Sequence, residues 1–237
     1  MAMTLDEFVQ QLAAAYSSHL SSVVLYGSAA AGEKTARSDY NILLLLDSIA
    51  PSQLAGASAA ARAWRDAGNP PPMTMTVAEW RRSADVFPME YADILERHRV
   101  LHGAAPFDGI TVSRDHLRLQ LEQQVMGKLL QLRQAALLAG TDGKRQAELI
   151  EASLSTMMVL FRAVLRLHGE RPGDDNIALT SRVAALAGFD AAPFQRAVRH
   201  VRGADKLGKA GAGDVLAGVL AGIERLDAYL DGFSTAQ

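Results

Sequence analysis

Apolar residues change their spacing along this chain once, near residue 105. Before that point short apolar runs alternate with helical stretches; after it the spacing is three to four residues almost to the end. "TLDEFVQQLAAAYSSHL" sets Phe8, Leu12 and Tyr16 four apart behind Thr4, a good capping residue, and predicts a helix to about His19. "SSVVLYG" and "NILLLLD" predict two buried strands, with a short helix from "AAAG" between them. "PMTMTV", after the Pro70-Pro71-Pro72 stop, predicts a third strand, and the Ala-rich stretch "SQLAGASAAARAWRDAG" before it a helix. A short helical stretch around Trp80 and "FPMEYADILERH" then lead to "RVLHG", a fourth strand. The resulting class is α+β, a small mixed sheet backed by helices.

"GAAPFDGITV" has no periodicity and carries Gly, Pro and Asp, so it reads as a linker between a domain of residues 1–108 and one of residues 112–237. In the second, Leu117, Leu121, Val125 and Leu129, flanked by Leu132 and Leu138, form an apolar stripe behind Ser113 as N-cap, and Gly140 ends the helix. "KRQAELIEASLSTMMVLFRAVLRLHG" repeats the pattern up to Gly169, with Met157, Met158 and Phe161 as core. Shorter helices follow over about 177–187 and 191–202, then a flexible loop "GADKLGKAGAG", then a helix over about 214–230. Long helices with short joints predict a helical bundle.

Composition removes several classes of function. With 24 Lys+Arg against 26 Asp+Glu the formal charge is -2, so no nucleic-acid partner is expected and any polyanion contact is local. The absence of cysteine excludes disulfides, thiolate metal sites and cysteine nucleophiles, and fits the reducing cytoplasm expected here. The N-terminal stretch reads as an amphipathic helix without the basic flank of a signal peptide, and no run approaches the roughly 20 apolar residues of a membrane span.

The chemistry gathers in residues 23–47. Gly27-Ser28 follows a strand and precedes a helix start, where backbone amides and a hydroxyl can cradle a phosphate. Asp39 and Asn41, two apart at the start of the next strand, face one way by alternation and offer one carboxylate and one amide to a cation. His98 and His102 flank the fourth strand with no third ligand near them in sequence. Arg162 and Arg166, one turn apart, fit a buried ion pair, surface snorkelling or a ligand contact.

Gly-Ser, a short helix and Asp-x-Asn on the next strand resemble the nucleotidyltransferase superfamily, whose signature ends in Asp-x-Asp. "FPMEYADILERHRVLHG", the linker and "HLRLQLEQQVMGKLLQLRQAAL" resemble the subgroup related to aminoglycoside adenylyltransferases, which carry a C-terminal helical bundle. The resemblance implies transfer of a nucleoside monophosphate from Mg-NTP, most simply ATP, to a hydroxyl of a small acceptor in a cleft between the domains. It implies Gly27, Ser28, Ser38 and Lys128 as nucleotide-binding residues and Asp39 and Asn41 as Mg²⁺ ligands. Asp39 and a further carboxylate would be catalytic, with Glu90 chosen and Glu79 and Asp93 as rivals. Lys128 and Arg133 face the phosphates or stay solvated.

Two departures weaken the chemistry. Asn41 stands where the family has its second aspartate, and loss of one well-placed electrostatic stabiliser costs about 10²- to 10³-fold in rate. "GSAAAG" has alanines where the family commonly has a cation, leaving Lys34 or Arg37 to compensate. Three readings follow: a weakened enzyme, a nucleotide- or ligand-binding pseudoenzyme acting as sensor or partner, and a scaffold without ligand.

Overall fold

The computed structural model describes residues 3–27, 29–30 and 39–234. Helix α1 (Leu5–Tyr16) starts where Thr4 marks it: Thr4 Oγ1 accepts the Glu7 N–H at 3.3 Å, and the Glu7 carboxylate accepts the Thr4 N–H at 2.8 Å. Phe8, Leu12 and Tyr16 are buried, and the α-helix stops at Tyr16, the residues to His19 forming a 3-10 turn. The helix expected from "AAAG" falls mostly outside the described residues.

Strands β1 (Leu20–Tyr26), β2 (Asn41–Leu46), β3 (Met73–Thr76) and β4 (His98–Gly103) form one sheet in the order β3-β2-β1-β4. β1 pairs antiparallel with both β2 and β4, so Tyr26 stands between Asn41 and His98. β3 runs parallel to β2, which requires a crossover. The Ala-rich stretch supplies it as two helices, α2 (Pro51–Gly56) and α3 (Ser58–Asp66), where the sequence predicts one; the break falls at buried Ala57, beside a glycine of low helix propensity.

β1 and β2 are the central strands and are covered on both faces, which explains their unbroken apolar runs. Val23, Leu25, Ile42 and Leu44 pack with Phe8 and Leu12 of α1 and Trp64 of α3. Val24, Leu43 and Leu45 pack on the other face with Trp80 of α4 (Val77–Arg82) and with Tyr91 and Ile94 of α5 (Pro88–Glu96). Alternation puts Tyr26 and Asn41 on this second face.

The chain divides into two compact units between Val112 and Ser113. In the second, α6 (Arg114–Ala139) and α7 (Gly143–Leu167) are joined by a tight turn, with Gly140 at the end of α6 and the Asp142 carboxylate accepting the Lys144 N–H at 2.9 Å. Then come α8 (Asn176–Ala187), α9 (Ala192–Val201) and α10 (Lys209–Asp231). Met157, Met158 and Phe161 are core, as their spacing predicts. Two expectations fail. Leu138, placed beside the α6 core stripe, is 78% exposed. "KAGAG", read as part of a flexible loop, is the first part of α10: Ala212 and Val215 are buried there, and tertiary packing overrides the low propensity of glycine. The later Gly222 is a packing residue, since a Cβ on it would stand 2.4 Å from the Phe194 ring of α9.

Candidate functional site

Gly27 ends β1 with φ +76°, a left-handed conformation that glycine adopts without the Cβ strain of other residues. Its N–H donates to Arg97 O at 3.0 Å, and its carbonyl accepts from Ala30 N at 3.1 Å, so the turn is tied to the junction of α5 and β4. A Cβ at Gly27 would meet Asn41 Nδ2 and Asp93 Oδ2, each at 3.6 Å. Turn, amide and carboxylate therefore surround one point at the edge of the sheet.

Asp93 does not face that point as an uncompensated anion. Its Oδ1 accepts from Arg97 Nη2 at 3.2 Å, one helical turn on, and the two side chains are only 27% and 11% exposed. An amide at position 41 can present N–H₂ to this carboxylate where a second aspartate would repel it. Tyr26 completes the group: burial first, then the carboxylates of Asp93 and Glu90, push its phenol up to about 12.

Glu90 is half-buried in the first turn of α5 and lies close enough to act on Tyr26. Asp93, one turn further along α5, is the carboxylate at the Gly27 turn. Glu79 is committed elsewhere, its carboxylate accepting Thr76 N–H at 2.8 Å and so capping α4. Asp39 is exposed in the segment before β2, and none of the described residues forms a hydrogen bond or ion pair with it. Ser28, Ser38, Lys34 and Arg37 lie outside the described residues.

Lys128, half-buried in α6, has its ammonium pKa lowered by burial. Arg133 pairs with Glu224 at 2.8 Å on the bundle surface, and Arg162 Nη2 donates to Asn176 Oδ1 at 2.9 Å. His98 and His102 belong to β4 itself; His98 Nδ1 lies 2.8 Å from Ile94 O, and its ring packs at a tilt against Phe107 with centroids 4.0 Å apart.

The donor set does not fit the pair of Mg²⁺ ions that the resemblance implies. Two dications held about 4 Å apart need several anionic oxygens. Here Asp39 is exposed, Asn41 brings no charge, and Asp93 is already neutralised by Arg97. Among the described residues no three His, Cys, Asp or Glu side chains are gathered as a metal centre would need. Arg97 is the residue that sequence reasoning missed, although its i,i+4 spacing from Asp93 was there to be read.

The small mixed sheet with helices, followed by a helical C-terminal region, is a nucleotidyltransferase fold. The crystal structure of spectinomycin adenyltransferase AAD(9) from Enterococcus faecialis with ATP and spectinomycin is similar, at a TM-score of 0.60 and 9% sequence identity, over 94% of this chain and 97% of that one. A toxin-antitoxin structure with AMP-PNP matches 57% of this chain and 96% of that one at 16% identity and a TM-score of only 0.30. No family model and no curated protein matches the chain. Among the described residues, no helix is long and apolar enough to cross a membrane.

Proposed function

We propose that this chain binds a nucleoside triphosphate at the Gly27 turn of its nucleotidyltransferase fold and acts by binding it, transfer of the nucleotide being weak or lost. ATP is the first nucleotide to test, since it is the one bound in the similar spectinomycin adenyltransferase structure. The observation that supports this reading is the Asp93–Arg97 pair beside Gly27 and Asn41. A guanidinium compensates the Asp93 carboxylate at the turn, so that carboxylate needs no dication as its counter-charge. With no side chain in the way, Gly27 lets a phosphate approach the backbone at the turn, a contact that needs no carboxylate.

The second reading is transfer of a nucleoside monophosphate to a hydroxyl of a small molecule at a reduced rate. The likeness of fold to an enzyme crystallised with ATP and spectinomycin favours it. Asp39 and Glu90 are its catalytic residues, with Asn41 a neutral ligand.

Titration calorimetry with ATP, with and without Mg²⁺, together with a pyrophosphate-release assay, separates the two. The binding reading expects heat of binding that Mg²⁺ changes little and no pyrophosphate, even from Asn41→Asp. Metal-dependent release that rises in Asn41→Asp and vanishes in Asp39→Ala establishes the second reading instead. No binding of any nucleotide under any metal condition overturns both.

A further inference from the structure

Helix α6 is apolar on two opposite faces. Leu117, Leu121, Val125 and Leu129 point into the bundle and are buried. Opposite them Leu119, Met126, Leu130 and Leu137 are 55%, 41%, 48% and 83% exposed. At 3.6 residues per turn, these four fall within about 20° of one straight line along the helix, some 27 Å long. Leu138, also exposed, lies well off that line. A single row of large apolar side chains is the width of a seam between two helices, and it is narrower than the face a globular core requires.

The spacing of the row is palindromic, with intervals of seven, four and seven residues. Turned end for end about position 128, Leu119 falls on the place of Leu137, and Met126 on that of Leu130. A surface that is its own complement under a two-fold rotation is the requirement for a symmetric dimer.

The flanks obey the same rotation. Glu122 and Arg133 border the row on one side, six residues before and five after the centre; Gln123 and Gln134 border it on the other. Because the rotation keeps each flank on its own side, Arg133 comes level with the partner's Glu122 to within one residue, and Gln123 with the partner's Gln134. Opposite charges meet and no like charges do. Arg133 also binds Glu224 of its own chain, and Glu122 its own Arg118, each at 2.8 Å, but a guanidinium has five N–H donors and a carboxylate about four acceptor sites.

We propose that the outer face of α6 joins two copies of this chain as an antiparallel helix pair about a two-fold axis level with Lys128. Multi-angle light scattering of the full chain across a dilution series should give about twice the 25.4 kDa of one chain, falling toward it only on dilution. Met126→Glu with Leu130→Glu should return the one-chain mass while leaving the helical circular dichroism unchanged, since both side chains are exposed. Leu138→Glu, off the line, should leave the mass at two chains.

The chain has no cysteine, so the register can be read by cross-linking. Single variants Met126→Cys and Leu130→Cys, mixed and oxidised, should form the 126–130 disulfide in preference to either self-linked pair, because the rotation brings those positions level. A wild-type chain of one-chain mass up to its solubility limit overturns the proposal and leaves the row to a different partner. Faster self-linking of each variant overturns the antiparallel register and with it the proposal.

Discussion

On one face of the sheet Trp64 stacks on Phe8 with ring centroids 4.3 Å apart and donates its indole N–H to Pro70 O at 3.0 Å. On the other, Trp80 stacks on Tyr91 at 4.0 Å and donates to Pro106 O at 2.7 Å. Each face also has a helix opened by a Thr-x-x-Glu capping box, Thr4 with Glu7 and Thr76 with Glu79. What differs is the rim. The Trp64 side is closed by apolar residues from α1 and α3, whereas the Trp80 side ends in Tyr26, Asn41, Asp93 and Arg97. Tyr91 links the two parts of that side, since its hydroxyl donates to Trp80 O at 2.7 Å from the helix that carries Asp93. The same core device serves stability alone on one face and fixes a polar cluster on the other.

The largest test of this parallel is truncation of each indole. Trp64→Ala and Trp80→Ala should each destabilise the first unit by about 3–5 kcal/mol, the usual cost of emptying a buried aromatic site. Both tryptophans of the chain lie in this unit, so fluorescence of the one that remains reports its unfolding in urea. A cost for Trp80→Ala far below that for Trp64→Ala would break the comparison, because α4 and α5 would then not be held as α1 and α3 are.

The second difference between the faces is electrostatic and shows in alkali. Tyr26 is pushed up to about 12 from 10.0, so an unfolded chain ionises this phenol first. Its contribution is fully present below pH 10 and is lost as pH rises from 10 toward 12, by up to about 3 kcal/mol. Tyr26→Phe should therefore flatten the fall in stability over that range, measured as the urea midpoint against pH. An unchanged slope would mean that neither burial nor Asp93 and Glu90 raises the Tyr26 phenol in the folded state.

Much of this was legible in the sequence. Consecutive apolar residues in "VVLY" and "ILLLL" gave the two central strands, because a strand covered on both faces has no polar position to alternate with. Gly27 and Asn41 stand together at the sheet edge because a hairpin-like pairing sets Tyr26 opposite Asn41. Among the three carboxylates weighed, Glu79 could have been set aside from Thr76-x-x-Glu79 alone, a capping box written in four residues. Between Glu90 and Asp93 the sequence could not choose. Both sit on one side of α5, and which of them reaches the turn depends on how that helix packs against Val24 and Leu43, a tertiary fact. "KAGAG" misled for the same reason: glycine disfavours a helix locally, and burial of Ala212 and Val215 decides otherwise.

A smaller effect separates the two rims. Arg97→Ala strips Asp93 of a guanidinium that is 11% exposed and should cost about 1–2 kcal/mol in the same urea experiment. On the Trp64 face the ion pair available is Arg65–Asp66, at 3.8 Å and 65% and 72% exposed, and Arg65→Ala should change nothing measurable. If the binding reading holds, Arg97→Ala combined with Asn41→Asp should also make ATP binding respond to Mg²⁺. Equal and negligible costs for the two arginine variants would mean that the Asp93–Arg97 pair is as solvated as the surface one.

The smallest prediction tests whether the shared cap is equivalent on both faces. Thr4→Ala and Thr76→Ala each remove an oxygen that accepts a first-turn N–H, at 3.3 Å from Glu7 N and 3.1 Å from Glu79 N. Each should cost about 1 kcal/mol. The consequences should nevertheless differ in kind. α1 has 12 residues and buries Phe8, Leu12 and Tyr16, so frayed ends leave its packing intact. α4 has 6 residues and one buried side chain, Trp80, so loss of its cap loosens the indole on which Tyr91 and α5 rest. Hydrogen exchange should therefore rise at the first turn of α1 alone in Thr4→Ala, but through α4 and into the first turn of α5 in Thr76→Ala. Exchange confined to α4 would show that the Trp80–Tyr91 stack holds α5 without help from the cap.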